Sequence, residues 1–291
     1  MITIFTPTFN RKNELVRLYH SLCNQSSKEF IWYVIDDGSS DGTDDYIKSI
    51  IENCPFEIIY NFQENSGKHV AINRALDNCK TDFMICVDSD DYLREDAVAV
   101  LNQYVGRKDT NECLANVGPR FSENNGISNW NCSMPNTVLF SDIYNKYKYH
   151  GETYMLWNLS FFTNIRFPVF CNERFVPESA IYDILDRNST VYICNEKIYF
   201  SDYQNDGLTR NSKSSFVNNR RGYAYANYIS SQNSNRSFLN RCCYYGRYYA
   251  ISKRLTDSPI KIEARDKEKL IICVGSLLGI VYNIVYSLNG K

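Results

Sequence analysis

The chain has 291 residues, of which 44% are hydrophobic and 22% charged, with 32 Lys and Arg against 33 Asp and Glu. That length suits one domain with an appendage or two small domains, and the composition excludes a disordered or low-complexity protein. A net charge of −1 argues against a general nucleic-acid surface but leaves room for a small anionic ligand in a local pocket.

Residues 2–6 are a short β-branched and aromatic run closed by Pro7. Asn10 stands where a helix N-cap is wanted, and Leu15, Leu18, Tyr19 and Leu22 recur at helical spacing. Phe30–Ile35 reads as a buried strand that runs into the turn Asp36-Asp-Gly-Ser-Ser-Asp-Gly-Thr43. A helix over 43–53, a strand over 56–61, a loop at 64–68, a helix over 69–79 and a strand at 83–87 follow, and the last ends in Asp88-Ser-Asp-Asp91. This βαβαβαβ order with short loops predicts a mostly parallel sheet covered by helices. Right-handed crossovers bring the strand C-ends to one edge, where open α/β sheets bind ligands.

Further on, residues 118–136 read as a loop or irregular hairpin, and Tyr154–Ile165 as a strand pair or a short helix. A helix is predicted over 174–187, late strands at 191–194 and 197–200, and two or more helices from Phe216 onward. The 11 cysteines form no CxxC pair, which speaks for reduced, mostly buried thiols and against a zinc site. The N-terminal run lacks the features of a secretory leader, so a cytoplasmic location is expected.

Asp88 and Asp90 leave a buried strand at alternate positions, so both can face one pocket. Two carboxylates with oxygen-only chemistry suit Mg²⁺ or Mn²⁺ shared with a pyrophosphate. A solvated turn with helix-capping acids is the plain alternative. Asp36-Asp37-Gly-Ser likewise suits a type I turn as well as a base-reading carboxylate.

Taken together, Thr6-Pro-Thr-Phe-Asn-Arg11, Val34–Thr43, Asn65-Ser-Gly-Lys68 with Ala71-Ile-Asn73, and Val87–Asp91 resemble the family 2 glycosyltransferases of the GT-A fold. Asn172–Glu178 and Ser201–Thr209 resemble the branch of that family found in bacterial capsule and exopolysaccharide loci. The resemblance implies an α/β GT-A (Rossmann-like) domain over 1–210, with a donor half at 1–105 and an acceptor half at 106–210, then a helical extension over 211–291. It implies transfer of a sugar, with inversion, from a nucleotide-diphospho-sugar, UDP being the default nucleotide.

By position, Asp37 would contact the pyrimidine base, and Thr6, Pro7, Thr8 and Asn10 would line the nucleoside site. Asn65, Gly67 and Lys68 would lie near the nucleotide. Asp88 and Ser89 would lie near the ribose, and Asp90 would bind Mn²⁺ or Mg²⁺, with Asp91 extending the cluster. Thr209, in the Asp-Gly-Leu-Thr block, would close over the diphosphate. Family members often carry a Glu-Asp pair as base, whereas this chain has Glu178-Ser179, which leaves Glu178 as the expected base. Glu173, Asp183 and Asp202 are the alternatives, and first-turn dipole compensation is its plain role. His69 and His150 are minor candidates for a metal shell, and Arg74 for a phosphate contact.

The last third interleaves Tyr with Arg, and Leu270–Leu288 is uncharged. The readings are a helical hairpin packed on the sheet, or a face for the inner leaflet of the membrane. The second suits a peripheral enzyme extending a polyprenyl-linked or other glycan acceptor. Competing readings are a catalytically degenerate scaffold and a sugar nucleotidyltransferase, although the first strand lacks the Gly-rich triphosphate loop of the latter.

Overall fold

In the computed structural model the described residues are 1–122, 129–130, 133–201, 212–255 and 269–288. In chain order they form β1 (Ile2–Thr8), α1 (Lys12–Cys23), β2 (Phe30–Asp36), α2 (Thr43–Ile51), β3 (Glu57–Phe62), α3 (Lys68–Asn78), β4 (Phe83–Cys86), β5 (Tyr92–Leu93), α4 (Ala97–Asn102) and α5 (Lys108–Asn111). There follow β6 (Ala115–Phe121), β7 (Thr137–Val138), α6 (Phe140–Asn145), β8 (Thr153–Asn158), α7 (Ser179–Leu185), β9 (Val191–Ile193), β10 (Tyr199–Phe200), α8 (Ser212–Asn218), α9 (Arg220–Gln232), α10 (Phe238–Ser252) and α11 (Lys269–Leu288).

By contact density the chain divides into one unit of Met1–Arg166 with Ser189–Gly207, and another of Phe167–Asn188 with Leu208–Lys291. In the first, the strands form one sheet in the order β3-β2-β1-β4-β8-β6-β10-β5, with β9 pairing β6 and β7. β1 pairs in parallel with both β2 and β4, and β2 with β3. Strands β1 and β2 are buried along their whole length, which is why they read as unbroken apolar runs. Helix α1 buries Leu15, Leu18 and Leu22 at helical spacing. Beyond β4 the sheet turns antiparallel, because β8 pairs antiparallel with both β4 and β6.

The chain moves outward from β1 through β2 to β3 and then returns to add β4 on the other side of β1. The C-end of β1 is therefore a topological switch point, where neighbouring connections leave in opposite directions and open a crevice. The segments after β1, β2 and β4 all border that crevice, which is the feature of the fold that builds a site.

Several local expectations change. Asn10 is not the cap of α1: it takes the left-handed region at φ 51°, and α1 begins after Arg11. The Asn10 side chain accepts from the Ser40 N–H (2.8 Å), while Asp41 accepts from the Lys12 N–H at 2.9 Å. The α1 terminus is thus satisfied from a loop 29 residues away. The loop reading of 118–136 fails at its start, where β6 runs to Phe121. Gly118 lies where a Cβ would meet the Tyr154 ring across the pair. Residues 154–165 give one strand, β8, and then a short 3₁₀ turn at Leu159–Phe162 capped by the Asn158 side chain.

The second unit is helical. Its core gathers Ala224, Cys242, Tyr245, Tyr248, Ile251 and Ile271. Helices α10 and α11 approach backbone to backbone at Gly246, Gly275 and Gly279, where a Cβ on Gly279 would stand 2.7 Å from the Gly246 carbonyl. Asp183 of α7 is buried and accepts from Asn233 Nδ2 (2.8 Å), Arg236 Nε (2.8 Å) and Ser230 Oγ (2.5 Å). Both oxygens of Glu173 cap α9, accepting from the N–H groups of Arg221 and Gly222 at 2.8 Å each. Among the described residues no helix is long and apolar enough to cross a membrane.

Candidate active site

The site grows from the ends of β1, β2 and β4. β1 ends in Thr6-Pro7-Thr8, and all three residues are buried. The Thr6 hydroxyl is used inside the core, accepting from Trp32 Nε1 at 3.0 Å. The Thr8 hydroxyl is buried without a hydrogen-bond partner among the described residues, although the Thr8 carbonyl accepts from the Asp37 N–H at 2.8 Å. A buried hydroxyl left open at a crevice is a position for a ligand.

The two acids after β2 have different tasks. Asp36 is fully buried and holds the turn, accepting from the Ser39 N–H (2.7 Å) and the Tyr60 hydroxyl (2.9 Å). Asp37 reaches across to the loop before α3. Its Oδ1 accepts from Gln63 Nε2 at 2.7 Å and the Ser66 N–H at 2.8 Å, and its Oδ2 from the Gly67 N–H at 2.8 Å. A carboxylate has about four lone-pair sites, so Asp37 builds the loop with three bonds and retains one. Gly38, at φ +89°, lies so close that a Cβ would be 2.8 Å from the Asn65 nitrogen. The Asp-Asp-Gly turn and the Asn65–Lys68 loop are therefore one packed object.

That object delivers Lys68. Its ammonium lies 2.7 Å from Asp88 Oδ1, while Arg120 of β6 lies 3.5 Å from Asp88 Oδ2 and 3.5 Å from Asp91 Oδ2. The Arg120 guanidinium sits over the ring of the buried Tyr199, 4.4 Å from its centroid. The Tyr199 hydroxyl donates to Asp91 Oδ2 at 2.6 Å and accepts from the Asp88 N–H at 3.2 Å. Burial alone would raise the Asp88 carboxyl, but Lys68 and Arg120 outweigh it and hold it at about 2. Burial, then the charge of Asp88, push Asp91 up to about 7 despite Arg120.

Asp90 differs from both neighbours. Burial and the charge of Asp88 raise its carboxyl, and among the described residues no ion pair forms at it. Its backbone carbonyl accepts from Arg17, whose guanidinium lies 5.0 Å from the Tyr92 ring centroid. No group of three or more His, Cys, Asp or Glu among the described residues is arranged to hold a metal. The residues nonetheless fit a hard divalent ion that takes one carboxylate here and its other ligands from phosphate oxygens and water.

The structure thus brings together Thr8, Asp37, Asn65, Gly67, Lys68, Asp88, Ser89, Asp90 and Asp91. Asn10 is tied to Ser39 and Ser40 of the turn after β2. Arg74 is taken up by the Phe62 carbonyl at 2.8 Å. His69 is buried on the first turn of α3, where burial lowers its imidazole despite the nearby charge of Asp37. His150 lies on the segment before β8 and is exposed, its backbone N–H donating to Asn129 Oδ1 at 3.2 Å. Glu178 belongs to the second unit, immediately before α7, and accepts from the Tyr182 hydroxyl at 2.8 Å. Glu173 and Asp183 are committed to capping and to the α7–α9 network. Thr209 and Asp202 lie outside the described residues. Sequence reasoning missed Arg17, Arg120 and Tyr199. The available signal was Arg120, the one charged residue in the run Ala115–Phe121.

The sequence profile of "Glycosyl transferase family 2" matches residues 3–167, more than half of the chain. The chain belongs to glycosyl transferase family 2. Glycosyltransferase GlyA of Streptococcus pneumoniae is 34% identical over 100 residues, which are 34% of this chain and 14% of GlyA. The GalNAc(5)-diNAcBac-PP-undecaprenol beta-1,3-glucosyltransferase of Campylobacter jejuni is 28% identical over 219 residues, 72% of this chain and 67% of that protein. The chain thus spans only a small part of the length of GlyA. Among solved structures, S. aureus TarS 1-349 in complex with UDP-GlcNAc superposes with a TM-score of 0.62 at 14% identity, covering 94% of this chain and 79% of that one. The mannosyltransferase PcManGT of Pyrobaculum calidifontis, in complex with GDP-Man and Mn²⁺, gives 0.52 at 15% identity, covering 95% and 69%. At such identities the structures establish the GT-A-like fold.

Proposed function

We propose that this glycosyltransferase moves a sugar from a nucleotide-diphospho-sugar, UDP-linked by default, to an acceptor hydroxyl of a lipid-linked glycan in bacterial surface-polysaccharide synthesis, with inversion. The observation that carries the donor half is the contrast between Asp88 and Asp90. Asp88 is neutralised by Lys68 and Arg120, whereas Asp90, one residue further on, is raised by burial and repulsion and forms no ion pair among the described residues. A carboxylate in that state is stabilised by a cation that arrives with the substrate. The TarS complex with UDP-GlcNAc and the PcManGT complex with GDP-Man and Mn²⁺ support that assignment.

In this reading Asp90 holds Mn²⁺ or Mg²⁺. The ion, when bound, neutralises the charge that develops on the departing diphosphate. Thr8 offers its open hydroxyl to the nucleoside, and Asp37 its remaining lone pair to the base edge while fixing the Asn65–Lys68 loop. Lys68 and Arg120 keep Asp88 ionised beside the ribose.

Glu178 is assigned to general base, removing the proton of the acceptor hydroxyl as that oxygen attacks. Glu173 and Asp183 are spent on the α9 cap and the buried α7–α9 network, which disfavours them as alternatives, while Glu178 accepts from the Tyr182 hydroxyl at the start of α7. One displacement inverts the anomeric centre without a covalent sugar intermediate. The C. jejuni relative, a GalNAc(5)-diNAcBac-PP-undecaprenol beta-1,3-glucosyltransferase, supports the acceptor class, and a lipid-linked acceptor would call for a peripheral position at the inner face of the cell membrane.

The test is thermal unfolding of wild type and Asp90→Asn with UDP-, dTDP- and GDP-sugars, in Mn²⁺ and in chelator. A donor at about 100 times its Kd adds about 2.7 kcal/mol, and this shift should require both metal and Asp90. No nucleotide-dependent shift in wild type with metal present would overturn the reading. Proton NMR of the product anomeric centre tests inversion.

A further inference from the structure

The second unit contains a cavity lined by none of the residues assigned above to donor, metal or base. It encloses about 270 Å³ and is lined by Phe216, Arg220, Tyr223, Asn227, Arg247, Ala250, Ile251, Arg254 and Tyr282. Three arginines converge on it, and among the described residues no carboxylate lines it. Arg220, Tyr223 and Asn227 are spaced by three and four residues along α9, so they share one face. Arg247, Ile251 and Arg254 repeat that spacing along α10 and just past its end.

Among the described residues none of the three arginines forms an ion pair, in contrast to Arg236 of the same unit, which is bonded to Asp183. Arg247 and Arg254 are exposed and Arg220 is half-buried, so their charges are accessible. The floor and walls are apolar or aromatic: Ala250 and Ile251 are buried, and the Phe216 and Tyr223 rings meet edge to face at 5.2 Å. Guanidinium groups above an apolar floor suit an amphiphile that carries phosphate, since arginine binds phosphate oxygens in pairs while the rings accept its apolar part.

A second feature of the unit selects a lipid over a free anion. On α11, which supplies Tyr282, the side chains of Leu270, Leu277, Ile280 and Val281 are 62%, 61%, 46% and 56% exposed. They recur at helical spacing and leave one side of the helix apolar in water. An apolar helix face beside a basic, aromatic pocket is the combination that seats a helix in a membrane interface.

We infer that this cavity binds the phosphate headgroup of a membrane lipid, with the exposed face of α11 entering the acyl region. The inference deepens the lipid-linked acceptor reading above and rests on it. It adds a site in the helical unit that holds the protein at lipid phosphate.

Co-sedimentation of the full chain with phosphatidylcholine vesicles, with and without phosphatidylglycerol, tests it. Wild type should bind only vesicles that contain phosphatidylglycerol, whose phosphate, unlike that of phosphatidylcholine, has no choline cation beside it. Each arginine changed to glutamine should weaken binding about five-fold, from about 1 kcal/mol per basic residue at an anionic surface, and Arg220→Gln/Arg247→Gln/Arg254→Gln should abolish it. Lys253→Gln removes an adjacent exposed charge outside the cavity and should cost less than two-fold. Equal losses for Lys253 and the arginines would mean diffuse attraction and overturn the site. Undiminished vesicle binding in the triple variant would do the same. Binding of inorganic diphosphate to the arginines without any vesicle binding would assign the cavity to a free anion and overturn the lipid. Should the triple variant unfold, the exposed single Arg247→Gln carries the test. UDP-sugar stabilisation in lipid-free buffer reports on the donor site alone, so failure of this inference is distinguishable from failure of the transferase reading.

Discussion

Tyr199→Phe removes one hydroxyl from the centre of the acidic cluster and leaves the ring in place. The ring keeps its 8° stack on Tyr154 and its position under Arg120, so packing is preserved. Two bonds are lost: the 2.6 Å donation to Asp91 and the 3.2 Å acceptance from the Asp88 N–H. A hydrogen bond to a charged group contributes about 1.5–3 kcal/mol, and a stranded buried N–H costs about 1 kcal/mol or more. The expected loss is about 3 kcal/mol. For a unit of this size that lowers Tm by about 6–12 °C.

The loss should depend on pH in a definite direction. Asp91 has a folded-state carboxyl at about 7, above its unfolded value, so its ionised form weakens the fold increasingly as pH rises towards that value. The Tyr199 donor favours the ionised form. Without it the carboxyl rises further, and the gap between wild type and variant widens as pH passes 7. Near pH 5 both folded proteins hold the Asp91 proton and the charge-dependent part of the gap vanishes. Urea unfolding of wild type, Tyr199→Phe, Asp91→Asn and the double variant at both pH values measures this. A coupling energy of at least about 1 kcal/mol is expected. Additive single losses, or a Tyr199→Phe variant within about 0.5 kcal/mol of wild type, would refute the reasoning.

Glu178→Gln should lower turnover by about 10²-fold or more while leaving UDP-sugar binding by calorimetry unchanged; full activity would remove Glu178 from the base role. Lys68→Met removes a partly exposed partner of Asp88, so stability should change by less than about 1 kcal/mol while nucleotide affinity falls about ten-fold or more, as read by titration. Gly279→Leu forces side-chain atoms against the Gly246 carbonyl and the Tyr249 ring. It should destabilise by about 1–3 kcal/mol in chemical denaturation while leaving metal-dependent nucleotide binding intact.

The parallel half of the sheet was readable because β1, β2 and β4 are buried runs punctuated by polar turns. The acids at their ends could be placed for the same reason. What escaped are features that depend on distant partners. Arg120 meets Asp88 from 32 residues away and Tyr199 meets Asp91 from 108 residues away, so neither has a local signature. Asn10 had the residue type of a cap, yet its side chain is used by Ser40, 30 residues on. Glu173 and Asp183 looked like interchangeable candidates for base until the structure showed which donors already occupy them. A carboxylate's availability for chemistry depends on where its neighbours in space come from.

The second unit is assembled from a stretch near the middle of the chain and from its final third. Asp183, in the middle stretch, is buried beneath Ser230, Asn233 and Arg236 of the final third. No single cut can therefore separate the helical unit from the sheet. A truncation near residue 210 would strand a buried carboxylate, and a swap of the tail alone would bring in helices without their Asp183. Modular exchange between such enzymes, in the laboratory or in evolution, needs two joints, one before Phe167 and one after Asn188, in addition to the tail junction. Chimeras designed with the single C-terminal joint are expected to be recovered as aggregates.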